Sequence, residues 1–221
     1  MSDVNPVAPL TQSTLSSAAE FLARRDPMLR QVLQRLGPPP LWRRTANFAT
    51  LSRIVIEQQV SLAVAKSTYE RLRTVCGGSV TALSISKVDD VGLRSVGLSR
   101  QKARYIRELS LAVRERRFSV SGLSRCDDEE AAQRVRSLLG FGAWSADIYL
   151  MMALLRPDVL PVGDLGLIKG IAEVCDQIFE SPEQIIERAE SWRPWRSVAT
   201  RMVWHVYLIN RGKDAHAIAS G

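Results

Sequence analysis

From Thr14 onward the chain repeats one pattern: apolar residues recur every three or four positions, interrupted only by short glycine and proline clusters. The alternation of a half-buried strand is nearly absent. The breaks fall at Gly37-Pro38-Pro39-Pro40, Gly77-Gly78, Gly97, Gly122, Gly140 to Gly142, Pro161 to Gly163, Pro182 and Pro194. This spacing predicts an all-α protein of about ten helices with short connections, without internal repeat, low-complexity tract or long linker. Residues 1–13 are polar and contain prolines, and they read as a loose tail ahead of one domain over residues 14–221.

Three segments set the expected architecture. Ala46 to Gln59 carries Phe48, Leu51, Ile54 and Val55 on one face. Ala143 to Leu155 is apolar almost all round, with Ser145 and Asp147 the main polar exceptions, as a helix buried inside the molecule would be. Trp195 to Ile209 places Trp195, Val198, Ala199, Met202, Val203, Val206 and Ile209 toward a core. Early and late helices thus both have faces to bury, so the two ends of the chain are expected to pack together, giving interleaved lobes. The helix Arg100 to Arg117 differs, because Arg100, Arg104, Arg107 and Arg114 oppose Ile106, Leu109 and Val113. Such a face is either merely solvated or directed at phosphates.

Charge and reactive residues narrow the function classes. Lys and Arg number 30 against 23 Asp and Glu, a net +7, which favours a polyanionic partner. No apolar run is long enough to span a bilayer, and the N-terminus lacks the pattern of a secretion signal, so the expected location is intracellular, cytoplasm or nucleoid in a bacterium. Cys76, Cys126 and Cys175 are far apart and form no C-x-x-C pair, and His205 and His216 are the only histidines. Neither a metal site nor a histidine-based triad is expected from that set. The chemistry has to rest on carboxylates, aromatics and backbone.

Leu138-Leu139-Gly140-Phe141-Gly142-Ala143-Trp144-Ser145-Ala146-Asp147 joins a polar helix, Asp128 to Ser137, to the buried one. Two glycines around one apolar residue make either an ordinary turn or a hairpin that aims backbone N–H groups at a phosphate, with Phe141 anchored in the core.

The hairpin is one of five ordered stretches that resemble the helix-hairpin-helix DNA glycosylase superfamily, and within it the 3-methyladenine DNA glycosylase II group. The others are Ile56 to Ser61, Val96 to Ala103, Arg156 to Leu167 and Trp192 to Ala199, so the resemblance runs from about Pro27 to Ile209. It implies a compact, all-helical, monomeric enzyme acting on double-stranded DNA that contains alkylated bases, without the additional α/β domain of some members. The hairpin motif lies at about 128–155. No organic cofactor is implied, although hairpin carbonyls are able to hold a monovalent cation.

The resemblance also assigns roles. Asp164, 22 residues beyond Gly142, occupies the position of the catalytic carboxylate. Read locally, it is a helix N-cap ahead of Leu165, and only the ordered pattern favours the catalytic role. Asp147 is expected to bond backbone or an arginine, and Asp158 to sit in a turn. Trp144 stands where members that also cut the backbone carry a lysine nucleophile, which implies base removal by water without a lyase step. Trp144, Trp204 and Ile148 are expected to line the base pocket, core packing being the other reading of each tryptophan. DNA contacts are expected from Gly140, Phe141, Gly142 and Ser145 of the hairpin, from Arg100 and Lys102, and from Gln58, Gln59, Val60 and Ser61. In that last stretch Gln59 is the residue chosen to fill the gap left by an extruded base. The remaining alternative is a helix-hairpin-helix protein that grips DNA without cutting it.

Overall fold

The structure, a computed structural model, describes residues 8–215. Among these residues twelve α-helices run in the order α1 (Gln12–Arg25), α2 (Pro27–Leu36), α3 (Phe48–Glu57), α4 (Leu62–Val75), α5 (Ala82–Ser86), α6 (Asp90–Ser95), α7 (Arg100–Arg114), α8 (Asp128–Arg136), α9 (Ala143–Met152), α10 (Leu165–Cys175), α11 (Pro182–Glu190) and α12 (Arg196–Ile209). A 3-10 turn, Ser121–Arg125, precedes α8, and no strand occurs among the described residues. The count exceeds the expected ten partly because α5 and α6, of five and six residues, are too short to repeat the helical period.

The single domain expected over 14–221 divides into two compact units. One combines the chain up to Arg43 with the chain from Leu150 onward, and the other is Arg44–Tyr149. In the first unit α1 and α2 pack against α12, and α12 packs against α10, so the two ends of the chain share a core. Leu15, Leu22, Leu29, Ile171, Val198, Met202 and Val203 form its centre. Asp26 is the joint between α1 and α2: its carboxylate accepts from the Met28 and Leu29 N–H groups and caps α2. The other carboxylate oxygen takes Arg188 and the Trp192 indole N–H, tying α11 to the same point.

The expected tail ends earlier than read. Leu10 is buried and donates its N–H to the Leu155 carbonyl at 2.8 Å, and Thr11 caps α1 through a reciprocal capping box with Thr14. A lone apolar residue before a cap has no periodicity to reveal it. Residues 1–7 of that stretch lie outside the described residues.

In the second unit α7 packs on α3, α5 and α6 through Ala103, Ile106, Leu109 and Ala112. Arg100, Arg104 and Arg114 stay exposed on its other side, whereas Arg107 turns to Asp90 and the Val88 carbonyl. Along α9, Ala146, Ile148, Tyr149, Leu150 and Met151 are all buried, as its uniformly apolar sequence requires.

Candidate functional site

The candidate residues fall into two groups, one per unit. In the first, Asp164 is the N-cap of α10, with extended backbone, and its Oδ1 accepts from the Leu167 N–H at 2.9 Å. The same oxygen accepts from the Trp204 indole N–H at 2.8 Å. The N-cap reading of Asp164 is therefore met, and the cap bond fixes the carboxylate that the indole also holds. Trp204 is partly buried and meets the edge of Trp42, ring centroids 6.1 Å apart and planes at 65°. Trp42 itself is buried, adopts φ +46° and donates its indole N–H to the Ala215 carbonyl.

The two competing carboxylates are placed differently. Asp158 lies in a turn, as expected, and binds Arg193 at 2.8 Å and Arg196 at 2.9 Å at the start of α12. On α9, Asp147 is largely buried; desolvation pushes its carboxyl up to about 7, against the opposing charge of Arg136.

The second group surrounds the hairpin. Gly140 has φ +86°, and a Cβ there would come within 2.1 Å of the Tyr105 ring, so this position admits only glycine. Gly142 carries no such demand: it is exposed, and a Cβ would meet nothing within 4 Å. Its carbonyl accepts from the Ala146 N–H at the start of α9, so an open glycine stands at the N-terminal end of that helix. Phe141 is core, as an anchor should be, and so contacts no solvent partner. Trp144 is partly exposed and Ile148 buried, one turn apart on α9.

Several expected DNA contacts face inward instead. The Gln58 amide donates to the Gly140 carbonyl at 2.9 Å and to Ser145 Oγ at 3.1 Å. Lys102 Nζ donates to the carbonyls of Ile56 at 2.8 Å and Gln58 at 2.7 Å. Ser145 is buried. Gln58, Ser145 and Lys102 thus hold main chain and one another rather than phosphates. Gln59 and Val60 are exposed, and Ser61 caps α4 through the Val64 N–H. The Leu138 and Gly140 carbonyls accept from the Phe141 N–H and the Gln58 amide. Among the described residues no cluster of three or more His, Cys, Asp or Glu is placed to hold a metal ion. No helix there is long and apolar enough to cross a membrane.

Residues 52–196 match the family described as HhH-GPD superfamily base excision DNA repair protein. The chain belongs to this superfamily. It is 24% identical over 204 residues to a DNA-3-methyladenine glycosylase of Bacillus subtilis, covering 84% of this chain. Against two Bacillus subtilis relatives the chain spans 64% and 65% of their length. The crystal structure of a DNA-3-methyladenine glycosidase from Bacillus halodurans superposes with a TM-score of 0.74 at 25% identity, over 90% of this chain and 93% of that one. The Schizosaccharomyces pombe 3-methyladenine DNA glycosylase in complex with abasic DNA shares the fold, with a TM-score of 0.74 at 22% identity, over 85% and 95% of the two chains.

Three supports of the candidate groups are not evident from the sequence. A Cβ on Gly166 would stand 3.0 Å from Asp164 Oδ1 and 3.2 Å from the Trp204 ring, so the bare backbone there makes room for their bond. A glycine two residues past a candidate carboxylate, inside a helical pattern, is the trace it leaves. Tyr105 covers the hairpin. Arg201, fully buried and with its pKa lowered to about 10 by desolvation, donates to the carbonyls of Leu41, Met151 and Ser197 and so fixes the segment carrying Trp42.

Proposed function

We propose that the protein is a monofunctional DNA glycosylase that extrudes alkylated purines of the 3-methyladenine and 7-methylguanine type from double-stranded DNA and hydrolyses their N-glycosidic bonds. The observation that carries the reading is Asp164 held at one oxygen by both a helix N-terminus and an indole, in a chain of the base-excision superfamily. The two donors orient the carboxylate before substrate arrives. As the C1′–N bond breaks, its electrons leave with the base and positive charge builds on the sugar, which a pre-placed carboxylate stabilises. Water adds to C1′, and its proton passes to Asp164 or to solvent. An alkylated purine carries positive charge and departs neutral, so no general acid is required, in keeping with a histidine-poor chain.

Aromatic faces attract such a cationic base by about 0.5–2 kcal/mol, a role that suits Trp204 and Trp144. Tryptophan at 144 supplies no amine for a Schiff base, which supports hydrolysis without a lyase step. The hairpin donors at Gly142 and α9, with exposed Arg100, suit phosphates, and Gln59 suits the gap in the stack. The enzyme works inside the cell as a monomer, and no step depends on a cofactor or bound ion.

The test is release of free 3-methyladenine and 7-methylguanine from methylated duplex DNA by wild type and Asp164→Asn. Loss of release by 10²-fold or more in the variant, with DNA binding retained, is expected. Wild type that binds DNA yet releases no methylated, deaminated or oxidised base would instead make the chain a non-catalytic DNA-binding member.

A further inference from the structure

Helix α3 ends in a way its own residues do not explain. The last carbonyls of a helix need outside donors, and Gln59, which turns the chain away from α3, has φ +56°. A side chain with a Cβ disfavours that conformation, so the surroundings impose it.

Two restraints converge there. The Gln58 side chain grips the hairpin at Gly140 and Ser145. Its backbone carbonyl is taken by Lys102, whose Nζ also holds the Ile56 carbonyl. The Gln58 carbonyl belongs to the peptide plane joining Gln58 to Gln59. An ammonium on that oxygen fixes the plane whose rotation would release Gln59 from the left-handed region. Lys102 also stands at the negative end of the α3 dipole, where a cation is favoured. It is half-buried, unlike its exposed neighbours Gln101 and Arg104, and desolvation holds its pKa below the ordinary lysine value. Gln59, by contrast, keeps its side chain exposed.

We infer that Lys102 is the positioning residue for Gln59: by clamping the Gln58–Gln59 peptide it presents the wedge already in the conformation that enters the gap left by an extruded base. The inference rests on the glycosylase reading and replaces the phosphate contact that the basic face of α7 suggests for Lys102.

Binding is measured to an intact duplex and to one carrying a tetrahydrofuran abasic analogue, as a function of salt. Gln59→Ala and Lys102→Met should each weaken the abasic complex about 5- to 30-fold, the population change expected when a left-handed residue is freed. Intact-duplex affinity and its salt slope should stay unchanged, the double variant should bind no worse than Gln59→Ala alone, and Lys102→Arg should restore most of the loss. A phosphate contact would instead weaken both duplexes alike and flatten the salt slope by about 0.9, which overturns the inference. Additive single-variant losses overturn it too, and so does a Gln59→Ala variant that binds the abasic duplex normally. Should Lys102→Met fail to fold, Lys102→Gln keeps a donor for one carbonyl and enters the same cycle. The glycosylase reading fails separately, through wild type that releases no methylated purine, because abasic affinity reads the clamp without turnover.

Discussion

Asp164 and Gln59 both sit at helix boundaries, one in each unit, and they are held in opposite ways. Asp164 is fixed through its side chain, with a backbone amide and an indole N–H on the same carboxylate oxygen. Gln59 is fixed through the main chain before it, while its own side chain is exposed. The difference follows from what each residue is proposed to do. A carboxylate that stabilises a developing charge must have its oxygens placed, since a charge a little out of position loses most of its effect. A side chain that enters a base stack needs a fixed root and a free tip. At Asp164 the donors therefore meet the side chain itself, and at Gln59 they meet the carbonyl that precedes it.

The largest effect should come from breaking the backbone-held region at its root. Gly140→Ala forces a Cβ into the Tyr105 ring at 2.1 Å, against ring atoms close to its attachment that cannot swing aside, and does so at φ +86°. A destabilisation of about 3 kcal/mol combines the strain and the overpacking, roughly 6–12 °C in Tm for a chain of this size. Gly142→Ala is the internal control. Nothing obstructs its Cβ, so Tm should stay within about 2 °C while duplex binding weakens, because the added methyl crowds the hairpin donors. Calorimetry and duplex titration on both variants separate folding from phosphate contact; equal Tm losses would remove the distinction drawn between the two glycines.

A smaller effect, confined to chemistry, is expected where a side chain does the holding. Trp204→Phe keeps an aromatic face but loses the indole N–H on Asp164, leaving the Leu167 cap bond intact. A hydrogen bond to a charged group contributes about 1.5–3 kcal/mol, so kcat for methylpurine release should fall about ten- to hundredfold with KM little changed. A rise in KM at constant kcat would mean that Trp204 serves base binding alone and that Asp164 needs only its cap.

The same contrast explains what the sequence could disclose. Helices were legible because burial writes a period of three to four residues, whereas at Asp164 the local sequence discloses only the N-cap that the structure shows, and its proposed role rests on the family resemblance. The inward roles of Gln58, Ser145 and Lys102 were not. Their acceptors include main-chain carbonyls or a neighbour 82 or more residues away in the case of Gln58, and a main-chain acceptor has no residue type to read. Lys102 lies on a helix rich in exposed basic residues, so composition assigned it to phosphates along with Arg100. Leu10 was lost for a related reason: one apolar residue makes no pattern, and only the fold shows that its N–H meets Leu155.

The smallest effect opposes two further carboxylates, Asp26 in the first unit and Asp147 in the second. Burial pushes the Asp26 carboxyl up, but hydrogen bonds from Trp192 and Arg188 and the charge of Arg188 outweigh it, so its pKa lies below the ordinary value. Its contribution to stability is present above about pH 4 and is lost as pH falls through the lowered pKa. At Asp147 desolvation wins, and the pKa stands at about 7 against 3.8 for the unperturbed group. Between those values the folded chain binds more protons at this site than the unfolded chain, so stability declines as pH rises and the full cost is felt above about 7. Asp147→Asn removes that cost while keeping the shape. The variant should therefore gain stability, by about 1–2 kcal/mol at pH 8 after allowance for solvent screening, and the gain should shrink steadily toward pH 5. Tm measured at pH 5, 6.5 and 8 reads the slope. A gain equal at all three values would assign the effect to packing rather than to charge, and a loss at every pH would mean that the Asp147 carboxylate is a structural partner of Arg136, held in the manner of Asp26.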